Sequence, residues 1–136
     1  MIWKIVVVLI VVFACASAYV RFAPAEMQKW HAPLDDPANS DSKTSSIRVV
    51  SGAGEQLADL FDIASGYPRT KIFAGTVDAG IVTFVTHTRF WGFPDYTTIW
   101  INGDDLVLFA RLRFGTYDFG VNKSRITNWV SVLPSP

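Results

Sequence analysis

The chain opens on a continuous apolar run and then changes rhythm. Residues 5–20 read IVVVLIVVFACASAYV, fifteen of sixteen apolar, without the polar stripe that marks a surface helix of a soluble protein. Residues 21–31 are mixed, and 32–46 form a polar tract of Pro, Asp, Ser and Asn that reads as a linker. From residue 47 the pattern shows strand and helix periods. Positions 47–50 predict a short strand. Residues 55–65 place Leu57, Leu60, Phe61 and Ala64 on one helical stripe, closed by Gly66. Four strand-like runs follow, 71–77, 81–89, 96–101 and 106–113, with turns at Asp78-Ala79-Gly80 and Asn102-Gly103-Asp104-Asp105. A second helix over 122–133 carries Ile126, Trp129, Val130 and Leu133 on one face, and Pro134 and Pro136 follow it. The order β-α-β-β-β-β-α predicts an α+β domain: a small antiparallel sheet with both helices on one face, behind an N-terminal transmembrane or signal helix.

The last hairpin can be read residue by residue. If Ile101 pairs with Leu106, then Ile99 faces Leu108 and Thr97 faces Ala110. That face, completed by Leu112, is aliphatic or small and suits helix packing. The other face holds Tyr96, Thr98, Trp100, Val107, Phe109, Arg111 and Arg113. A solvent face should be largely polar. This one is either covered by the linker or loops, with guanidinium groups stacked on rings, or it is a ligand cavity or partner surface, since aromatics and Arg are the enriched interface types.

The N-terminal run fits two readings. Lys4, the apolar core and Ala16-Ser17-Ala18 have the order of a secretory signal with its cleavage site. Extended from Met1 to Phe22, with Lys4 snorkelling, the same run is long enough for an uncleaved single-pass anchor, and Tyr19, Phe22 and Trp30 suit an interfacial aromatic belt. The anchor is the leading expectation. The domain division is then 1–22 anchor or signal, 23–46 juxtamembrane segment and linker, and 47–136 globular domain. The signal-like order places the N-terminus inside and the domain outside.

Composition removes several functions. Outside the apolar run the chain is about 44% apolar, ordinary for a globular domain. Twelve basic residues balance twelve acidic ones, so no basic stripe exists to neutralise nucleic-acid phosphates. Cys15 is the only cysteine, which excludes an intrachain disulfide and a thiolate metal cluster. His31 and His87 supply at most two imidazole ligands. No nucleophile elbow, phosphate loop or dinucleotide fingerprint occurs, and no metal or cofactor is expected. Asp104-Asp105 belongs to a hairpin tip. Asp95, beside Tyr96 and the arginines, and His87 are the candidates left for acid–base chemistry.

Two segments carry the remaining chemistry. The first is Arg89-Phe90-Trp91-Gly92-Phe93-Pro94-Asp95-Tyr96. The second runs Arg111-Leu112-Arg113-Phe114-Gly115-Thr116-Tyr117-Asp118-Phe119-Gly120-Val121-Asn122-Lys123-Ser124-Arg125. Gly115 and Gly120 permit a tight exit from the strand. Asp118 and Asn122 are candidates to cap the last helix. Arg125 can reach back to Asp118, and Arg111 or Arg113 can pair with Asp118 or Asp95. Alternatively Arg89, Arg111, Arg113 and Arg125 converge on a carboxylate or phosphate. At these two segments, and at Ala18-Tyr19-Val20-Arg21-Phe22-Ala23-Pro24 and Trp30-His31, the chain resembles the domain of unknown function family 1499, small and often membrane-anchored proteins of bacteria and plastids. The resemblance implies a membrane-anchored bacterial protein, which with the signal-like order gives the expectation of an inner-membrane protein with a periplasmic domain, and it supplies no established activity. Three functions follow as expectations. The first is a non-enzymatic accessory module contacting a membrane protein complex through Tyr96, Trp100, Phe109, Arg111 and Arg113. The second is a lipid- or hydrophobic-anion-binding domain, and the third an enzyme using Asp95 or His87.

Overall fold

The hairpin turn at Gly103 and Asp104 sets the register of the fold. The computed structural model describes residues 1–135. In chain order it contains α1 (Ile2–Phe22), the one-turn α2 (Met27–Trp30), β1 (Ser40–Asp41), β2 (Ser45–Val50), α3 (Leu57–Ser65), β3 (Thr70–Thr76), β4 (Ile81–His87), β5 (Pro94–Asn102), β6 (Asp105–Leu112) and α4 (Val121–Ser131). The strands form one antiparallel sheet in the order β1-β2-β6-β5-β4-β3. Ile101 pairs with Leu106, Ile99 with Leu108 and Thr97 with Ala110, the predicted register. Gly103 supplies the left-handed backbone (φ 64) that a two-residue hairpin loop needs.

Both helices pack on the face that the alternation predicts. Val82, Phe84, Ile99, Leu106, Leu108 and Ala110 of the sheet meet Leu57, Leu60 and Ala64 of α3 and Ile126 and Trp129 of α4, all buried. Trp129 sits edge-on to Phe84 and Tyr67, with ring centroids 6.0 and 5.6 Å apart. Most element bounds differ from expectation by one or two residues. The strand read over 81–89 ends at His87, because Thr88 turns the chain: its N–H donates to the Phe93 carbonyl and its Oγ1 accepts from the Phe93 N–H, each at 2.9 Å. The last helix begins at Val121 and ends at Ser131. Pro136, read with Pro134 as its stop, lies outside the described residues.

The last part of the polar tract read as a linker, from Ser40 on, joins the sheet. Ser40–Asp41 pairs with β2, and Asn39 Oδ1 accepts from the Val49 N–H at 2.8 Å. Asp41 receives Arg48 at 2.9 Å, Lys123 at 3.2 Å and the Ser46 hydroxyl. Short polar side chains here satisfy a sheet edge, a role that composition alone does not separate from coil. The Arg48 guanidinium and the Ser46 hydroxyl hold the Asp41 carboxyl well below the usual carboxylate range. The stability this adds is present above the unfolded value of about 4 and is lost as pH falls below it.

The aromatic face of the sheet is covered from within the chain. Trp30 stacks on Tyr96 (4.6 Å, 25°), and Phe73, at the β3 bulge, packs edge-on to the same ring at 5.1 Å. Arg111 lies between the Trp30 and Phe109 rings, 4.9 and 4.5 Å from their centroids. Its Nη2 donates to the Trp30 carbonyl at 2.8 Å and its Nη1 to the Lys29 carbonyl at 3.2 Å. Arg113 donates to the carbonyls of Ala23 (2.9 Å) and Pro24 (2.6 Å). Burial lowers the Arg111 pKa from its ordinary value, yet a guanidinium keeps its charge at physiological pH. His31 Nδ1 bonds Thr83 Oγ1 at 2.8 Å, and Thr98 Oγ1 donates to the Trp30 carbonyl at 3.1 Å. Gly75 (φ 86) makes room for this cover, since a Cβ there would lie 2.1 Å from the Ile81 carbonyl oxygen and 2.7 Å from His31 Cε1.

Trp30→Ala is therefore expected to cost about 3–5 kcal/mol, the range for a deleted core aromatic, and to expose 23–39 to protease. Thermal unfolding and limited proteolysis of the full-length protein in detergent check both. Gly75→Ala is expected to lower the same transition by about 1–3 kcal/mol or more, through left-handed strain and the two close contacts.

Candidate functional site

Two loops leave the sheet at one end. Residues 88–93 join β4 to β5, and 113–120 lead from β6 to α4, so the two sequence motifs meet where Pro94 and Leu112 end their strands. In the first loop Gly92 (φ 66) faces the Arg21 side chain at the exit of α1; a Cβ there would lie 3.3 Å from Arg21 Nη1. In the second, Phe119 takes a left-handed backbone (φ 56) that a bulky residue rarely adopts, and its ring stands exposed beside Tyr117 at 4.8 Å.

Beneath the loops runs a buried polar relay. Asp118 Oδ1 accepts the Gly120 N–H at 2.8 Å and its Oδ2 accepts Asn122 Nδ2 at 2.9 Å. Asn122 Oδ1 accepts Arg125 Nη1 at 2.7 Å, and Arg125 Nη2 donates to Asp95 Oδ2 at 3.2 Å. The helix cap itself is Gly120, with no side-chain bond. Asp118 and Asn122 instead orient Arg125 within the first turns. Asp95 and Arg125 are 1% and 3% exposed, a costly place for charge. Burial pushes the Asp95 carboxyl up to about 6, even with the Arg125 guanidinium beside it. Asp95 Oδ1 and Arg125 Nε have no protein partner.

Both residues line a cavity of about 720 Å³, within the size range of small-molecule sites. Thr86, Asp95 and Arg125 form its buried polar part. Phe90, Trp91, Phe93, Phe114, Tyr117 and Phe119 supply most of its walls, with Arg69, Arg89 and Ser124 at polar positions. The four motif arginines do not converge. Arg111 and Arg113 lie on the opposite sheet face and hold carbonyl oxygens, because alternation along β6 sends them away from Leu112 and Asp95. Neither pairs with Asp95 or Asp118. Arg89 is exposed over the Phe90 ring (5.6 Å) and lines the cavity with Arg125.

Of the partner-face residues, Tyr96 and Trp100 are buried and Phe109, Arg111 and Arg113 half-buried under the cover described above. Trp91, Gly92, Phe93 and Pro94 form the turn that carries Asp95 into the cavity wall. Gly115 (φ 99) bends the second loop. His87 lines the cavity, and its Nε2 lies 3.3 Å from the Arg21 carbonyl oxygen. Asp104 lies in the hairpin turn, while Asp105, paired with Asn102 across it, accepts the Gly52 N–H at 2.9 Å. Sequence reasoning missed Arg69, Tyr67, Thr86 and Ser124 at the site. The available signal for Thr86 was its cross-strand position opposite Asp95. Among the described residues no group of three or more His, Cys, Asp or Glu is placed to hold a metal ion.

Asp95→Ala leaves Arg125 charged, buried and unpaired, and is expected to destabilise by about 3–5 kcal/mol, whereas Asp95→Leu with Arg125→Met is expected to be near neutral or stabilising. The pH dependence has a defined sign. A carboxyl raised in the folded state contributes most below about pH 4 and loses that contribution as pH rises to about 6. Wild type should therefore lose thermal stability relative to the double variant between pH 4 and 6, the reverse of the trend set by Asp41.

Comparison with curated proteins and with solved structures returns no match. The family model described as "Protein of unknown function (DUF1499)" matches residues 15–133, from within α1 to just past α4. The match includes the juxtamembrane cover as well as the sheet, the cavity and both helices that pack on it, and on that extent the chain belongs to the DUF1499 family.

Proposed function

We propose that this protein is a single-pass, membrane-anchored module that binds an amphiphile, on the periplasmic side of a bacterial inner membrane. The observation that carries the reading is the cavity between the two motif loops. It is mostly aromatic, yet it ends on a buried Asp95–Arg125 pair with an unpartnered acceptor and an unpartnered donor. A ligand with a polar hydrogen-bonding group and an apolar body satisfies both parts, since unpaired buried polar atoms cost free energy until a partner arrives. Asp95 titrating near 6 lets its Oδ1 accept from, or when protonated donate to, that group.

The anchor rests on α1. Its most apolar 18-residue window has a mean hydropathy of 2.5 and none of its side chains is buried, and at 1.5 Å per residue its 21 residues extend about 31 Å, the thickness of a hydrocarbon core. The signal-like order of the run, with Lys4 near its start, supports an outward-facing domain.

Docking of a membrane protein complex on Tyr96, Trp100, Phe109, Arg111 and Arg113 has less support. It requires Trp30 and the carbonyls of Ala23, Pro24 and Lys29 to leave that face. Acid–base catalysis is a third reading: His87 is engaged by the Arg21 carbonyl, and the free Oδ1 of Asp95 serves the ligand group proposed above.

Photo-crosslinking tests the reading. Membranes bearing the full-length protein and a diazirine-labelled fatty acid are irradiated and the adducts mapped by mass spectrometry. Adducts are expected on the 86–93 and 114–125 segments as well as on α1. Ser124→Trp, which fills the cavity from an exposed position, should reduce the domain adducts about tenfold and leave those on α1. Adducts confined to α1, or unchanged in Ser124→Trp, would contradict the proposal.

A further inference from the structure

The loops around the cavity carry more exposed aromatic surface than a water-facing rim needs. Phe90 is 87% exposed, Phe119 84% and Trp91 59%. On a soluble domain such a patch marks an interaction site. Its neighbour in the structure is α1. The Trp91 ring packs edge-on to Phe13 at 6.1 Å, and Phe90 and Trp91 share a cleft with Ser17, Ala18, Arg21 and Phe22.

Phe13 lies nine residues before Phe22, about 13 Å of helix rise from the end of the apolar span. A side chain that reaches Phe13 from the domain therefore reaches the depth of lipid chains. The backbone of the same loop stays higher, with Gly92 beside the Arg21 guanidinium. Arg21 and Arg89 flank the aromatic tips, the arrangement in which apolar rings enter a bilayer and cations remain at phosphate level.

We infer that the tips of the 88–93 and 113–120 loops, led by Phe90, Trp91 and Phe119, insert into the outer leaflet and dock this end of the domain on the bilayer that α1 spans. The inference rests on α1 being a membrane span and is independent of what the cavity holds. The occupant of this surface is lipid, because the patch is continuous with the apolar helix itself. The cavity wall includes the same three residues, so its mouth opens within the interfacial zone and a ligand enters sideways from the leaflet. The opposite end of the sheet, at Asn102, stands about 26 Å away along β5, in water.

Spin-label depth measurement on the full-length protein in phospholipid vesicles tests this. Cys15 is the only native cysteine, so Cys15→Ser provides a silent background. Labels are placed singly through Phe90→Cys, Phe119→Cys, Asn102→Cys and Val8→Cys, all at exposed positions that leave the core intact. Labels at 90 and 119 are expected to collide with oxygen several-fold more, and with a water-soluble nickel complex several-fold less, than the label at 102. Nickel collision at either loop position equal to that at 102, with Val8 still deep, overturns the inference and leaves the anchor standing. A water-exposed Val8 label overturns the anchor and this inference together. The depths should not change in Ser124→Trp, which separates this result from the ligand reading.

Discussion

The geometry of the protein depends on how two arginines of β6 grip the chain that leaves α1. Arg111 and Arg113 donate four hydrogen bonds to main-chain carbonyls between Ala23 and Trp30. Each bond is charge-assisted and therefore stronger than a neutral one. Trp30 then closes over Tyr96, and the guanidinium of Arg111 lies against its ring. A segment that composition would allow to swing freely becomes a third layer of the domain. Because that layer continues directly into α1, the sheet is held at a set angle to the apolar helix. The loop end of the sheet is thereby brought to the helix exit, where Gly92 meets Arg21 and Trp91 meets Phe13.

The two sheet faces divide the work. One is closed by α3 and α4 around Trp129 and Phe84. The other is covered by 23–31, chiefly by Trp30. The exception is at the end of the helix side, where Leu112 and Asp95 run out from under α4 and the 113–120 loop arches over them. An ordinary core would fill that space with an aliphatic side chain. Here it holds an ion pair, oriented through Asn122 and Asp118, at a position where apolar residues would stabilise the fold as well or better. Charge at this position is what the binding role proposed for Asp95 and Arg125 requires.

Much of the domain was legible in the sequence. The short turn at Gly103 and Asp104 and strict alternation on both sides made the β5–β6 register readable to the residue. The stripes Leu57/Leu60/Ala64 and Ile126/Trp129 identified which helix faces would be buried. The same alternation exposed an aromatic face that needed a cover, but not what covered it. Trp30 lies 66 residues before Tyr96, and the bonds that bring them together end on main-chain oxygens, which carry no sequence signature. The polar 32–46 tract was misread for a related reason: Asn39 and Asp41 act on a strand edge, and their partners are a backbone N–H, Arg48 and Lys123. At the site, Asp95, Asp118, Asn122 and Arg125 were all singled out, yet the expected Arg125–Asp118 contact is made through Asn122. Asp118, Asn122 and Arg125 follow one another at steps of about one turn, a spacing that does not say which carboxylate the guanidinium meets.

The Arg111 and Arg113 grip fixes the domain against α1. Distance measurement by pulsed electron spin resonance tests it directly, with labels introduced at Ser17 in α1 and Asp104 at the far hairpin of full-length Cys15→Ser protein embedded in a bilayer. A single narrow distance is predicted for the otherwise native chain, and a broad distribution when Arg111→Met and Arg113→Met are added. A broad distribution in the native chain, or an equally narrow one in the double variant, would contradict the account.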